Sequence, residues 1–383
     1  MKILYVLNSS KYGGMEVHVQ DLIESMKSAG HEVFVMCPSG QMAEVYENLG
    51  AVVEEARIGF DIDPVYILKL KKFIQKNSID VVHSHELKAV VNALLAGRLS
   101  KTKVNISHTH TPISEWRVSP IKKFFTVKFY TWMVNRFSSS EIALTKSKKE
   151  VKMNEGIKGD KLEIIPNGLD TSKFIVSPIQ RIEYEKEIKN RFNLPDNSYV
   201  FGNISRVTKE KDHETLVKAF NKFLDTQLFN KENYILFIAG GGDLEDKIKK
   251  LVKDLELEKN VVITGRFNEE DKIKFLSTFD SFVFPTLAEG FGIVLIEALC
   301  MGLPAICSDL DVLKEVGDKF VTFFNTGNED DLAEKMIDEY NRIGGETKFV
   351  TEGAREYVEQ NYSMVAFKNN YEKLYMKFLG ENK

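Results

Sequence analysis

The 383-residue chain is short of the features that mark several large protein classes. It has three cysteines, Cys37, Cys300 and Cys307, with no metal-ligand spacing and no even-numbered framework. That excludes a disulfide scaffold and fits reduced thiols in a cytoplasmic protein. It has no apolar run of about 20 residues, so no membrane-spanning helix is expected. Met1 leads straight into Lys2-Ile3-Leu4-Tyr5-Val6-Leu7, which is too short for a secretory leader and reads as a first strand. Net charge is −4, so there is no global basic field for nucleic acid. The three-glycine dinucleotide fingerprint is missing, which argues against NAD. No sequence period repeats, so this is not a repeat array. What remains is 43% hydrophobic and 28% charged, the balance of a globular chain with a sizeable core and room for two domains.

Apolar runs alternate with helical stretches. In the first half the strands are expected at Ile3 to Leu7, Glu32 to Met36, Ala51 to Val53, Ile79 to Val82, Val104 to Ser107, Ile142 to Leu144 and Leu162 to Ile165. Helical segments separate most of them. Thr171 to Pro195 is polar and charged, reads as a connection, and is partly helical around Arg181 to Phe192. The alternation restarts with strands at Tyr199 to Ile204, Tyr234 to Ala239, Val261 to Thr264, Ser281 to Phe284, Ala305 to Cys307 and Phe320 to Phe324. Helices are expected at Thr347 to Glu359 and Met364 to Phe378. Strands joined through helices pair in parallel, so the fold class is α/β, with doubly wound sheets that bind ligands at the strands' carboxyl ends.

The most informative stretch is Pro285 to Pro304. A strand, Asp280 to Phe284, precedes it; the stretch itself reads as a glycine turn at Gly290 and Gly292, then a helix from Ile293 to Met301 ending at Gly302. Such a turn leaves unpaired N–H groups at a helix N-terminus, a seat for phosphate. Glu289 lies in the turn and Glu297 in the helix. A carboxylate accepts two hydroxyl hydrogen bonds, which suits sugar and ribose diols.

Other clusters follow strands. Lys11-Tyr12-Gly13-Gly14-Met15-Glu16 opens a helix, and its glycines let backbone approach a ligand. Ser205 to His213 carries Arg206, which can fork onto phosphate, and Lys211, a point charge. Gly265-Arg266-Phe267 and Gly240-Gly241-Gly242-Asp243 follow two further strands, the second reading as a flexible turn. His83-Ser84-His85 and His108-Thr109-His110 end two strands. A metal is the tempting reading, but no other ligand type recurs nearby, and hydrogen-bonded strand-end histidines serve as well. Asp61-Ile62-Asp63 and Asp309-Leu310-Asp311 read as chance acidic triplets. Residues 116–137 interleave Lys122, Lys123, Lys128 and Arg136 with Phe124, Phe125, Phe129, Tyr130 and Trp132. That segment suits an anionic membrane surface or an aromatic stripe buried in the first domain equally.

Two glutamates with seven residues between them, in the setting EGFGIVLIEALCMGLP, resemble the signature of the retaining glycosyltransferases of family 4. Pro166-Asn167-Gly168-Leu169-Asp170 with Phe174 also resembles that family's pattern. The resemblance spans nearly the whole chain and implies a GT-B fold, two Rossmann-like doubly wound parallel-sheet domains with an interdomain cleft. Residues 1–175 would form the acceptor-side domain, 176–197 a linker, and 198–362 the nucleotide-sugar-binding domain, with a last helix, 363–383, packing back on the first.

Site roles follow from the same resemblance. Arg206 and Lys211 would stabilise the leaving diphosphate, although Ser205 stands where many relatives have glycine. Glu289 would hold donor-sugar hydroxyls and Glu297 the ribose. Gly290, Phe291, Gly292 and Ile293 would meet the donor. Gly265, Arg266 and Phe267 would meet the base through backbone groups, and Gly13 and Gly14 the diphosphate. His108 would orient the donor sugar, with His110 as rival. No metal or other cofactor is expected. The donor would be a UDP- or GDP-sugar and the acceptor a glycan or lipid-linked glycan in polysaccharide or glycolipid assembly. The site would be cytoplasmic, at the inner face of the membrane if 117–136 docks there. Two other classes compete: a hydrolysing sugar-nucleotide epimerase of similar plan, and a non-catalytic nucleotide-sugar binding subunit.

Overall fold

The computed structural model describes residues 1–116, 118–226, 231–342 and 351–380. Arg117, the start of the helix expected from Thr347, and residues 381–383 lie outside the described residues. The chain divides into two compact units, one of residues 1–168 and from Met364 onward, the other Leu169–Ser363.

The first unit runs β1 (Lys2–Val6), α1 (Gly14–Ser28), β2 (Glu32–Cys37), α2 (Gln41–Asn48), β3 (Val52–Glu55), α3 (Pro64–Asn77), β4 (Val81–His85), α4 (Leu87–Ser100), β5 (Val104–His108), α5 (Pro120–Phe137), β6 (Ser140–Ala143), α6 (Lys146–Glu155) and β7 (Leu162–Ile164). Its strands form one parallel sheet, order β3-β2-β1-β4-β5-β6-β7. Side chains alternate across a strand, so β1 feeds two cores. Ile3 and Tyr5 pack with Val19 and Leu22 of α1, and Leu4 and Val6 with Tyr66 and Leu70 of α3 and Ala89 of α4.

The second unit runs α7 (Pro178–Arg191), β8 (Tyr199–Ile204), α8 (His213–Thr226), β9 (Tyr234–Ala239), α9 (Glu245–Asp254), β10 (Val261–Ile263), α10 (Asp271–Thr278), β11 (Ser281–Phe284), α11 (Ile293–Cys300), β12 (Ala305–Ser308), α12 (Asp311–Gly317), β13 (Val321–Phe324), α13 (Glu329–Arg342) and α14 (Ala354–Tyr362). Its sheet is parallel too, order β10-β9-β8-β11-β12-β13. Tyr199 and Phe201 of β8 pack with Leu216, Phe220 and Phe223 of α8. Full burial of such a side chain contributes about 1.5–3 kcal/mol.

Three features of the chain bear on the sequence reading. Residues 176–197, read as a partly helical connection, contain α7. Ser177 and Gln180 form a reciprocal capping box that starts α7, which packs along α10 inside the second unit. The helix α6 has no strong apolar stripe in sequence. α6 forms around Lys152, buried against Glu141. The last helix, α15 (Met364–Leu379), belongs to the first unit, where Phe367, Tyr371 and Tyr375 join the α1 core.

Candidate active site

In the second unit, β8 and β11 are neighbours from which the strand order runs outward in opposite directions. Such a switch point leaves a crevice at the carboxyl ends of both strands. The connection after β8 carries Ser205 to Asp212 and that after β11 carries Pro285 to Gly292. The two are stitched together where the Glu210 carbonyl accepts the Leu287 N–H (2.8 Å) and the Thr286 hydroxyl (2.9 Å).

Across this seam Lys211 Nζ donates to Glu289 Oε2 at 2.5 Å and lies 5.0 Å from the Phe284 ring centroid. Glu289 Oε1 accepts the Gly290 N–H at 3.0 Å. One ammonium and one amide thus converge on a single carboxylate, the arrangement an oxyanion site requires. Gly292, at φ +89°, caps α11, and a Cβ there would meet Leu313 Cδ2 at 3.0 Å. Phe291 is buried with its ring 5.7 Å from Tyr362, while Ile293 stays exposed. Arg206 is on the same seam but solvated, its guanidinium 3.9 Å from Glu210.

Glu297, one turn into α11, is 5% exposed. Its Oε1 accepts from Lys272 Nζ of α10 at 2.9 Å, and its Oε2 is buried without a hydrogen-bond partner. Burial pushes this carboxyl up, and Lys272 offsets part of the rise. An unpaired buried acceptor is costly and is satisfied by a hydroxyl donor. Lys272 lies 25 positions from Glu297, so no local sequence signal announces it.

The glycine turn after β9 is packed rather than flexible. Gly240 has φ +144°, and a Cβ there would sit 2.0 Å from the Ser205 carbonyl oxygen. Gly240 also bridges Gly265, which has φ +67°. The Gly265-Arg266-Phe267 connection is thereby tied beside the Arg206 segment, with the Phe267 ring 5.2 Å from Phe275. A separate cavity of about 360 Å³ behind this seam is lined by Val207, Lys209, His213 and Leu287 and includes neither Arg206 nor Glu289. The acidic triplets are structural: Asp63 caps α3, and Asp309 holds the Thr326 N–H and hydroxyl.

Gly13, Gly14 and the histidines belong to the first unit. Gly13 precedes α1, with Glu16 Oε2 2.8 Å from where its Cβ would stand. His83 and His85 point to the same side of β4 and stack at 4.3 Å. His108 closes β5, is 0% exposed, and among the described residues has no hydrogen bond at either ring nitrogen. Its ring packs edge-on against His18 of α1, with ring centroids 5.0 Å apart. His110, two residues past it, keeps partial exposure. The four nitrogens of His18, His85, His108 and His110 lie within 4.8 Å of one another. His108 and His110 stack at 4.0 Å and 22°, and stacked rings present parallel rather than convergent lone pairs. Burial lowers the basicity of every ring here, that of His18 to about 4, with the Asn167 contact opposing.

The basic aromatic helix α5 has one buried and one exposed face. Tyr130, Met133 and Val134 are buried, and Ile121, Phe124, Phe125 and Trp132 are exposed. Among the described residues no helix is long and apolar enough to cross a membrane.

Comparison with known proteins gives the family and fold. Residues 184–342 match the family described as glycosyl transferases group 1, and residues 12–173 match glycosyltransferase family 4. The chain is 27% identical to a phosphatidyl-myo-inositol mannosyltransferase of Mycolicibacterium smegmatis, over 79% of this chain and 74% of that one. It is 26% identical to the Escherichia coli UDP-Gal:alpha-D-GlcNAc-diphosphoundecaprenol alpha-1,3-galactosyltransferase, over 64% and 62%. Among solved structures, Anabaena HepE in complex with UDP superposes with a TM-score of 0.83 at 20% identity, covering 98% of this chain and 100% of that one. A Rickettsia africae glycosyltransferase gives 0.84 at 20% identity, covering 100% and 99%. The two family matches together take in most of the chain, which belongs to the group 1, family 4 glycosyltransferases and has their GT-B fold.

Proposed function

We propose that this protein is a retaining, metal-independent glycosyltransferase that moves a hexosyl group from a UDP- or GDP-sugar to a glycan or lipid-linked acceptor in polysaccharide or glycolipid assembly. The observation that carries this reading is the convergence of Lys211 and the Gly290 amide on one carboxylate at the second unit's switch point, beside the orphaned oxygen of Glu297.

Cleavage of the sugar–phosphate bond puts negative charge on the diphosphate and positive character on the anomeric carbon. Arg206, Lys211 and the N–H groups around Gly292 stabilise the first, in a site already organised for it. The diphosphate takes Lys211 from Glu289, which frees Glu289 for the donor-sugar hydroxyls. Glu297 holds the ribose through Oε2. Backbone groups of Gly265, Arg266 and Phe267 meet the base, and the family resemblance gives Gly13 and Gly14 the diphosphate. His110 replaces His108 as the ring that orients the sugar, because His108 has no exposed edge. The departing phosphate oxygen takes the acceptor proton on the face from which it leaves, which retains the anomeric configuration. UDP is the favoured nucleotide, since the names of two of the similar proteins carry it. The working site is the cytoplasmic face of a membrane, with the exposed aromatics and lysines of α5 as the contact.

A screen of nucleotide sugars by thermal shift, followed by transfer assays with lipid-linked acceptors, tests this. A donor at 100 times its Kd stabilises the folded state by about 2.7 kcal/mol, a shift of a few degrees for a chain of this size. Conversion of free donor to another nucleotide sugar without acceptor would mean an epimerase. Tight donor binding with no transfer across an acceptor panel would mean a binding subunit.

A further inference from the structure

The first unit's sheet has two ends. Gly13 and the clustered histidines lie at the carboxyl end of its strands. At the amino end, where β5 and β6 begin and α4 and α5 finish, there is a cavity of about 400 Å³. β5 is five residues long, so the two ends are roughly 15 Å apart. The cavity takes in Arg98, Lys101, Lys103, Arg136 and Lys161, and among the described residues no carboxylate lines it. The chain as a whole carries −4, so this is a local gathering of positive charge and not part of a basic surface. None of these side chains has a part in the site described above.

Helix ends attract cations, because the last carbonyls of a helix carry partial negative charge. That accounts for Arg98 and Arg136, in the last turns of α4 and α5. It does not account for Lys103 and Lys161, which precede β5 and β7. Lys103 is 3.8 Å from Asp80, and Lys161 Nζ donates to the Ser138 carbonyl at 2.7 Å. Nor does it explain Lys101, which ends α4 at φ +58°, the left-handed position that glycine or asparagine ordinarily fills. Gly97 is a glycine inside α4, where alanine is favoured. The reason is steric: a Cβ there would collide with Asn105 Oδ1. Room is thus kept for the Asn105 amide, which is 8% exposed. Its Oδ1 is buried and, among the described residues, has no hydrogen-bond partner. A buried acceptor left open is costly until a donor meets it.

The lining indicates the ligand. Arg98 and Arg136 present planar guanidinium forks, which match the oxygens of a phosphoryl group, and the three lysines add point charges. The Ser139 hydroxyl accepts the Asn105 N–H at 3.1 Å and keeps its own hydrogen for a ligand, while Asn105 Oδ1 calls for a donor such as a hydroxyl. An anion and hydroxyls on one small molecule describe a phosphorylated polyol, and a cavity of this size holds one. We propose that this cavity binds a phosphorylated polyol as a ligand in its own right, whether or not the transferase reading stands. The group has two sources with the same chemistry, a free glycerol or sugar phosphate and a phospholipid headgroup. Phe125, Trp132 and Arg136 recur at helical spacing along the exposed face of α5, so a lipid seated here would rest its chains against those rings.

Glycerol 3-phosphate is the free probe, and vesicles of phosphatidylglycerol in phosphatidylcholine are the lipid-borne one. The double variant Arg98→Gln/Lys101→Asn removes two charges, and asparagine suits the left-handed position, so the melting temperature should not fall. Lys72→Gln/Lys76→Gln removes two exposed charges from α3 as a control. Calorimetric titration with the free probe and co-sedimentation with the vesicles should show saturable binding of at least one. That binding should be at least tenfold weaker in the first variant and within twofold of the parent in the control. Tenfold loss for glycerol 3-phosphate means a soluble ligand, and loss confined to the vesicles means a headgroup. Where glycerol 3-phosphate binds, inorganic phosphate should bind more weakly, and Asn105→Ala should bring the two level. Equal loss in both double variants, or no saturable binding of either probe, overturns the proposal, and inorganic phosphate binding as tightly as glycerol 3-phosphate overturns the polyol. The UDP-induced thermal shift should be the same in parent and variants, and its absence from the parent would count against the transferase reading alone.

Discussion

Arg206 and Glu297 make opposite kinds of statement about the donor site. Arg206 is solvated, and among the described residues its ion-pair partner is Glu210 at 3.9 Å, so it costs the fold little and can turn to meet a phosphate. A charge-assisted phosphate contact is worth ~1.5–3 kcal/mol, and Arg206→Ala should lower turnover at least tenfold with little change in melting temperature. Initial rates near those of the parent would remove its assigned role. Glu297 is buried, with one oxygen on Lys272 and the other without a partner. Glu297→Gln should raise the donor KM several fold with a smaller effect on kcat, because a ribose contact is made alike in ground and transition states. An unchanged KM would mean that Glu297 serves only Lys272. Gly292 is a third case. At φ +89° a side chain is strained, by roughly 1–2 kcal/mol, and Leu313 leaves it little room. Gly292→Ala should lower the melting temperature by a few degrees and weaken UDP binding, both read in one thermal-shift titration.

At the scale of elements, α5 carries the clearest prediction. One face holds Tyr130, Met133 and Val134 in the first unit's core, and the other presents Ile121, Phe124, Phe125 and Trp132. Each lysine near an anionic surface contributes about 1 kcal/mol. Replacing Lys122, Lys123 and Lys128 by Glu should abolish co-sedimentation with phosphatidylglycerol vesicles, and failure of the parent protein to sediment would end the membrane reading. Elements with an apolar stripe, such as α8 around Leu216, Phe220 and Phe223, were legible in the sequence almost to the residue. α6 was not. In KSKKEVKMNE the apolar residues are too few to form a stripe, and the helix is held by the buried Lys152, whose Nζ reaches Glu141 Oε1 at 2.6 Å and the Thr109 carbonyl at 2.8 Å.

For the whole molecule, acid is the revealing variable. His18 and His213 are each lowered from 6.5 to about 4 by burial, opposed at His18 by Asn167 and reinforced at His213 by Lys211. Such a group binds its proton first in the unfolded chain. Its contribution is complete above pH 6.5 and is lost as pH falls toward 4, on the order of 3 kcal/mol for His18. The other buried rings of the first unit move in the same direction. The melting temperature should therefore fall between pH 7 and pH 5, and a flat profile would contradict the burial. EDTA should leave transfer intact, and loss of activity restored by Mn²⁺ would overturn the metal-independent reading.

Sequence alone determined the alternation of strand and helix, the parallel sheets, and the segments around Arg206, Lys211, Glu289 and Gly292. Each is written in periodicity or turn residues that act within a few positions of themselves. Tertiary structure alone decided that β1 lies against β4, that Glu297 meets Lys272, and that His108 is covered while His110 is not. It also decided that Glu86, held at φ +67°, lines the same cavity as Asn8. These follow from strand order and burial, which join residues tens of positions apart, and no local run of amino acids encodes which distant surface will cover it.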